Sequence, residues 1–156
     1  MQTLTISKPD DFHLHLRDGE AMSSVVNYSA AQFSRAIIMP NLKPPITTVD
    51  MAISYYNRIL NSVNEEYNFE PLMTLYLTDN MSPSEIDKAA ETKSITALKY
   101  YPAGTTTNSD SGVTDIKKIY SVLEAMMKNG LPLLLHGEVN DIEVNVFDRE
   151  KIFIDR

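Results

Sequence analysis

Cysteine is absent from the 156 residues. That excludes disulfides and thiolate metal sites, so any bound metal must be held by histidine, carboxylates or a less ordinary ligand. Basic charge is also scarce. The 14 Lys and Arg stand against 21 Asp and Glu, and the net charge of −7 argues against nucleic acid or an anionic membrane as the main partner. No apolar run approaches the ~20 residues of a membrane span, and Met1 is not followed by a charged-then-apolar leader. A cytoplasmic soluble protein is the expectation. Neither G-x-G-x-x-G nor G-x-x-x-x-G-K-S/T occurs, so the fingerprints of nucleotide-binding α/β folds are missing. Internal repeats and low-complexity tracts are missing as well.

What is present is apolar material, 43% of the chain, enough for one domain with a real core. Short apolar runs recur at 12–16 (FHLHL), 35–40 (RAIIMP), 71–78 (PLMTLYLT), 94–103 (SITALKYYPA) and 131–137 (LPLLLHG). Several are apolar on both faces, as strands of a covered parallel sheet should be. Amphipathic segments lie between them. Ser82-Pro83-Ser84-Glu85 carries a capping signal and a first-turn proline for a helix over 82–93. Thr48 or Asp50 caps another over 48–65. In TDIKKIYSVLEAMMKNG, the residues Ile116, Ile119, Tyr120, Leu123 and Met126/Met127 fall on one side and Gly130 supplies the stop. A further helix over about 20–34 is less strongly patterned, being rich in Ser and β-branched residues. The β-α unit thus recurs at roughly 25–37 residues, which predicts a parallel sheet with crossover helices.

An open doubly wound sheet and a (β/α)8 barrel share that pattern. The barrel places its functional residues at the C-terminal ends of strands. His13, His15, Asn41, Lys99 and His136 all lie in or just after apolar strand-like runs, and they include all three histidines of the chain. In PDDFHLHLRDG (9–19), strand alternation puts His13 and His15 on one face and Phe12, Leu14 and Leu16 on the other. Two imidazoles on one face can converge on a cation, although a surface pair has the same pattern. Lys99, between Ala97-Leu98 and Tyr100-Tyr101, sends its ammonium into a mostly apolar environment, where desolvation lowers a lysine pKa; a buried stem with a solvated head is the plainer alternative. Asn41 also fits a turn, Arg17 a surface ion pair, and His136 a satisfied strand-end histidine. Five coincidences at strand ends outweigh these separate readings.

In order, HLHLRDG, IIMPN, ALKYYPA with TTNSDSGV, LPLLLHGEV and DIEVNVFDRE resemble the amidohydrolase superfamily, and within it the dihydroorotases of the compact bacterial and fungal type. The resemblance runs over essentially the whole chain and implies a (β/α)8 TIM barrel. It implies that His13 and His15 bind a first zinc, that His136 binds a second, and that Lys99, carboxylated on its amine, bridges the two Zn2+. Arg17 and Asn41 would hold a substrate carboxylate, for which a guanidinium fork is better suited than an ammonium. Glu138 reads either as a support for His136 or as a solvated loop carboxylate. The implied activity is the zinc-dependent reversible hydrolysis of dihydroorotate to N-carbamoyl-L-aspartate in pyrimidine synthesis. The implied partners are that small-molecule substrate and, for the full-length enzyme, a second copy in a homodimer.

Five candidate strands precede Arg156, whereas a TIM barrel needs eight β/α units. The further zinc-binding histidine and the catalytic aspartate that the resemblance implies belong to later strands. The chain is therefore expected to be the N-terminal portion, over 1–156, of one barrel domain, and to be inactive alone. A hydantoinase- or allantoinase-like amidase, a non-catalytic metal-binding fragment and a partner subunit are the competing readings.

Overall fold

The structure, a computed structural model, describes residues 3–155. Five strands, β1 (Asp10–Leu14), β2 (Arg35–Ile38), β3 (Glu70–Tyr76), β4 (Ile95–Tyr100) and β5 (Leu133–Leu135), form one sheet in the order β1-β2-β3-β4-β5. Every pair is parallel, with Asp10 opposite Arg35, Ala36 opposite Pro71, Leu75 opposite Leu98 and Lys99 opposite Leu134. A doubly wound sheet reverses its strand order at a switch point. This order never reverses, and the curled sheet is a partial TIM barrel. The helices are α1 (Gly19–Gln32), α2 (Val49–Leu60), α3 (Pro83–Glu91), α4 (Tyr120–Asn129) and α5 (Arg149–Asp155). Among the described residues no helix is long and apolar enough to cross a membrane.

Strand alternation separates two environments. One face carries Ala36, Ile38, Met73, Leu75, Leu77, Leu98 and Tyr100 into the core shared with the helices. Each fully buried Leu or Ile there contributes roughly 1.5–3 kcal/mol of transfer free energy. α1 adds Met22, Val26 and Ala30 at four-residue spacing, and α2 adds Val49, Ala52, Tyr55 and Ile59. The opposite face carries Met39, Asn41, Thr74, Tyr76, Ala97, Lys99 and Tyr101, all buried but outside that core cluster. Polar groups thus collect on one side of the sheet, and the apolar core lies on the other.

Helix punctuation departs from expectation at two places. Ser82 precedes a first-turn proline as expected, but its side chain makes no cap. Its partner in the expected capping box, Glu85, instead accepts from the Val49 N–H at 2.7 Å. The carboxylate thus serves a free N–H in the first turn of α2, which Thr48 also caps by accepting from Met51 N. In the 116–130 segment the buried residues are Ile119, Val122 and Met126, while Ile116, Tyr120 and Met127 are exposed. Residues Ile116–Ile119 form a 3-10 turn, whose tighter winding rotates the apolar stripe relative to an unbroken α-helix. Gly130 ends α4 at φ +68 as expected.

Past the end of β3, Asp79 ties the sheet to the segment after β4. Its carboxylate accepts from Thr114 N at 2.8 Å, Thr114 Oγ1 at 2.6 Å and Lys118 Nζ at 2.8 Å. These donors hold its pKa down, from 3.8 to about 2. The resulting stabilisation is complete above the unfolded-state value and is lost as pH falls through it toward 2. Asp79→Asn is expected to cost about 1 kcal/mol near neutrality, a modest figure because Lys118 is largely solvated. Urea midpoints of the two proteins should converge between roughly pH 4 and pH 2; a constant gap would show that the ionised carboxylate is not the cause.

Candidate metal centre

His13 and His15 project from β1 and the residue just beyond it, on the face opposite Leu14 and Leu16. Their Nε2 atoms lie 3.1 Å apart. Asp11 Oδ1 accepts from the His13 backbone N–H at 2.9 Å, next to an irregularity in the β1–β2 register between Asp11 and Leu14. Lys99, 2% exposed, comes from the same side of the sheet two strands beyond β2. Its Nζ donates to the Leu135 carbonyl at 3.1 Å and stands 5.2 Å from the centroid of the Tyr101 ring. His136 follows β5 directly, its ring 6.1 Å from that of Tyr101. The histidine pair, the amine and His136 therefore stand at the C-terminal end of the sheet, close enough for the charges of Lys99 and His136 to act on His13.

Charge and burial agree with this geometry. Loss of solvent around the ring, and then the charges of Lys99 and His15, lower the His13 pKa, with His136 adding to the effect. His15 is lowered by desolvation, opposed by its hydrogen bond to Asn41. Burial lowers the Lys99 amine from its ordinary value of 10.5. At His13, His15 and Lys99 these effects favour uncharged nitrogens, the form in which imidazole binds metal.

No three His, Asp or Glu side chains converge to hold a cation among the described residues. A site of ordinary coordination number requires Lys99 as a ligand, and a free amine on its own is a poor one. The residues nevertheless fit a metal. Among the described residues the buried Nε2 of His136 has no hydrogen bond, and Glu138 Oε2 stands 3.4 Å from it. The separation of the His13 and His15 Nε2 atoms matches two nitrogens sharing one ion at bond lengths of about 2.0–2.1 Å.

Arg17 and Asn41 flank the cluster. Arg17 is a non-glycine residue at φ +65, and its carbonyl accepts from the buried Tyr55 hydroxyl at 2.6 Å. Arg17 also borders a cleft of about 600 Å³ with Asp18, Lys43, Met51 and Asn108. None of the four candidate metal ligands lines that cleft, which adjoins the cluster without containing it. Asn41 is 3% exposed; its Oδ1 lies 2.8 Å from His15 Nδ1, and its Nδ2 donates to the Thr107 carbonyl at 2.9 Å.

Sequence reasoning missed Tyr101, Thr107 and Asn108. The Tyr101 ring packs 5.1 Å from Tyr76, and its hydroxyl is buried without a partner among the described residues. Asn108 donates from Nδ2 to the Asn41 carbonyl at 2.9 Å and accepts at its own carbonyl from the Tyr76 hydroxyl at 3.2 Å. The signal for Thr107 and Asn108 was the polar run after β4, read only as a loop, and Tyr101 gave no signal beyond its place in the apolar run 94–103.

A partial barrel with imidazoles and a buried lysine at the C-terminal ends of its strands has its polar cluster where barrel proteins place their functional residues. Residues 10–156 match the Amidohydrolase family, and the chain belongs to it. Within that family it is similar to dihydroorotases. It is 62% identical over 154 residues to the dihydroorotase of Delftia acidovorans, covering 99% of this chain and 44% of that protein. The crystal structure of Campylobacter jejuni dihydroorotase superposes with a TM-score of 0.86 at 41% identity, over 95% of this chain and 42% of that one. The dihydroorotase of Saccharomyces cerevisiae in complex with 5-fluoroorotic acid gives a TM-score of 0.84 at 36% identity, over 94% and 42%. The chain spans less than half the length of these relatives.

Proposed function

We propose that residues 1–156 are the N-terminal part of the barrel domain of a dihydroorotase, an enzyme that reversibly hydrolyses dihydroorotate to N-carbamoyl-L-aspartate. The observation that carries this reading is the paired His13 and His15 Nε2 atoms, 3.1 Å apart, at the same end of the sheet as the buried Lys99 amine and the unsatisfied His136 Nε2. The similarity to dihydroorotases supports it. His13 and His15 would hold one zinc ion and His136 a second. Lys99 would bridge them as a carbamate, formed when the amine lone pair adds to CO2 and a proton leaves. The lowered amine pKa favours the uncharged form this step needs. When bound, the metal pair supplies Lewis acidity to the amide carbonyl and lowers the pKa of water toward neutrality.

Arg17 and Asn41 would orient the substrate through its exocyclic carboxylate. The guanidinium offers a fork to both oxygens, and Asn41 keeps one N–H beyond the one given to Thr107. That carboxylate favours dihydroorotate over a ring without one, such as a simple hydantoin. A general acid/base for the ring nitrogen is not part of this set, so the chain alone is proposed to be inactive. Action in the cytoplasm and a homodimeric full-length enzyme belong to the same proposal and are supported by the resemblance alone.

Incubating the chain with zinc and bicarbonate and recording its mass under native conditions tests the centre. The expected result is bound zinc together with an adduct of about 44 Da localised to Lys99. Zinc-free spectra without that adduct would overturn the centre, and Lys99-dependent turnover of dihydroorotate by this chain would overturn its inactivity.

A further inference from the structure

We propose that Asn41 is a positioning residue that locks His15 in one tautomer, with the proton on Nδ1 and the Nε2 lone pair left bare. The argument begins on the polar loop between β4 and α4. The Thr107 carbonyl can only accept, so the atom of the Asn41 carboxamide that faces it at 2.9 Å must be the NH2 group. The carboxamide oxygen is thereby turned toward His15 Nδ1, 2.8 Å away. An oxygen cannot donate, so Nδ1 must carry the proton and Nε2 must not. A loop carbonyl 66 residues further along the chain thus decides which His15 nitrogen is free.

Asn41 has little freedom to escape this role. It is buried, and its own carbonyl accepts from Asn108 Nδ2, so the loop grips it at both the backbone and the side chain. The contact between the two imidazoles then has a definite polarity. Without metal, His13 Nε2–H donates to His15 Nε2 across 3.1 Å. Among the described residues no hydrogen bond ties the other nitrogen of His13, so His13 is the ring that can exchange its tautomer when a cation arrives. His15 is ready from the start.

The tautomer assignment stands on these hydrogen bonds; only its consequence for affinity rests on the metal-centre reading above. Long-range 1H–15N correlation spectra of the metal-free chain, recorded above the ordinary histidine pKa of about 6.5, read the tautomer directly. Zinc affinity is measured in parallel by chelator competition. The wild-type chain should show His15 protonated on Nδ1. Asn41→Asp can still accept from Nδ1 but cannot donate to Thr107, so it should keep that tautomer, with zinc affinity within a few-fold of wild type. Asn41→Leu should shift His15 toward the Nε2–H form and weaken zinc binding by about 10–100-fold.

A role confined to holding the loop predicts the opposite for Asn41→Asp, which loses the Thr107 contact. An Nε2–H tautomer in the wild-type chain or in Asn41→Asp would overturn the proposal, as would an unchanged tautomer in folded Asn41→Leu. Failure of the wild-type chain to bind zinc, with His15 still protonated on Nδ1, would count against the metal centre and support the lock.

Discussion

Lys99→Met is expected to stabilise the metal-free chain while abolishing its capacity to hold a metal pair. The amine is buried, its one hydrogen bond among the described residues goes to the Leu135 carbonyl, and burial holds its pKa below the ordinary 10.5. Among the described residues no carboxylate pairs with it to offset the lost hydration. Methionine has similar length and no charge, and the gain should be about 2 kcal/mol near neutrality, within the range seen when apolar side chains replace buried ionic groups. The sign of the pH dependence follows from linkage. Between the lowered folded-state pKa and 10.5 the unfolded chain binds more protons, so wild-type stability rises with pH across that window. The advantage of Lys99→Met should therefore be largest below the folded-state pKa and shrink as pH approaches 10.5. Denaturant midpoints from neutral to alkaline pH measure this, and a variant less stable than wild type at pH 7 would refute it. The same variant should lose the CO2 adduct. In any chain able to turn over dihydroorotate, it should lower the rate at least about 10³-fold, because metal assistance is worth several kcal/mol of barrier. A buried lysine that costs the fold stability is the expected mark of function rather than of packing.

That mark was visible in the sequence because it is local. An ammonium inside an apolar strand is anomalous in any fold, and period-two alternation alone places His13 and His15 on one face, with Leu14 and Leu16 behind them. The partial barrel was legible for the same reason: each strand and its following helix are set by patterns within about ten residues. What could not be read depends on distant partners. Glu85 belongs by spacing to its own helix, yet the Val49 N–H takes it because the start of α2 packs beside α3. Arg17 was legible as a surface ion pair or, by resemblance, as a ligand for a substrate carboxylate, but its backbone conformation was not. Its left-handed backbone is held by a Tyr55 hydroxyl 38 residues away, and no pattern in RDGE announces that contact. The short α5, with Asn145 accepting from Phe147 N just before it, was passed over because its seven residues are too few to display a period. Asn41 is the clearest case. Its residue type fitted both a turn and a substrate contact, and only the fold brings Thr107 and His15 to opposite ends of its carboxamide.

Gly112→Ala should be the most damaging substitution in the loop that makes that connection, lowering stability by about 3 kcal/mol, at the upper end of what overpacking costs. A Cβ at position 112 would stand 2.3 Å from the Tyr101 carbonyl oxygen and 3.0 Å from that of Ser109, both backbone atoms that no rotamer change can clear. The Tyr101 carbonyl already accepts from Val113 N at 2.8 Å, and that of Ser109 accepts from Gly112 N at 2.9 Å. Relief requires one of two movements. If the Tyr101 backbone yields, it shifts a ring packed against Lys99, Tyr76 and His136. If the loop yields, Thr107 and Asn108 withdraw from Asn41 and the carboxamide is released. For a chain of this size the cost corresponds to a fall in Tm of about 10 °C. Hydrogen exchange distinguishes the two routes. Loss of protection at Val113 and Gly112 with His15 still protonated on Nδ1 marks movement of the Tyr101 backbone. Loss of protection accompanied by a shift of the His15 tautomer marks the loop, because only that route frees the group holding the imidazole. An unchanged Tm in Gly112→Ala would mean that the close approach of these two backbone segments is not what fixes the loop.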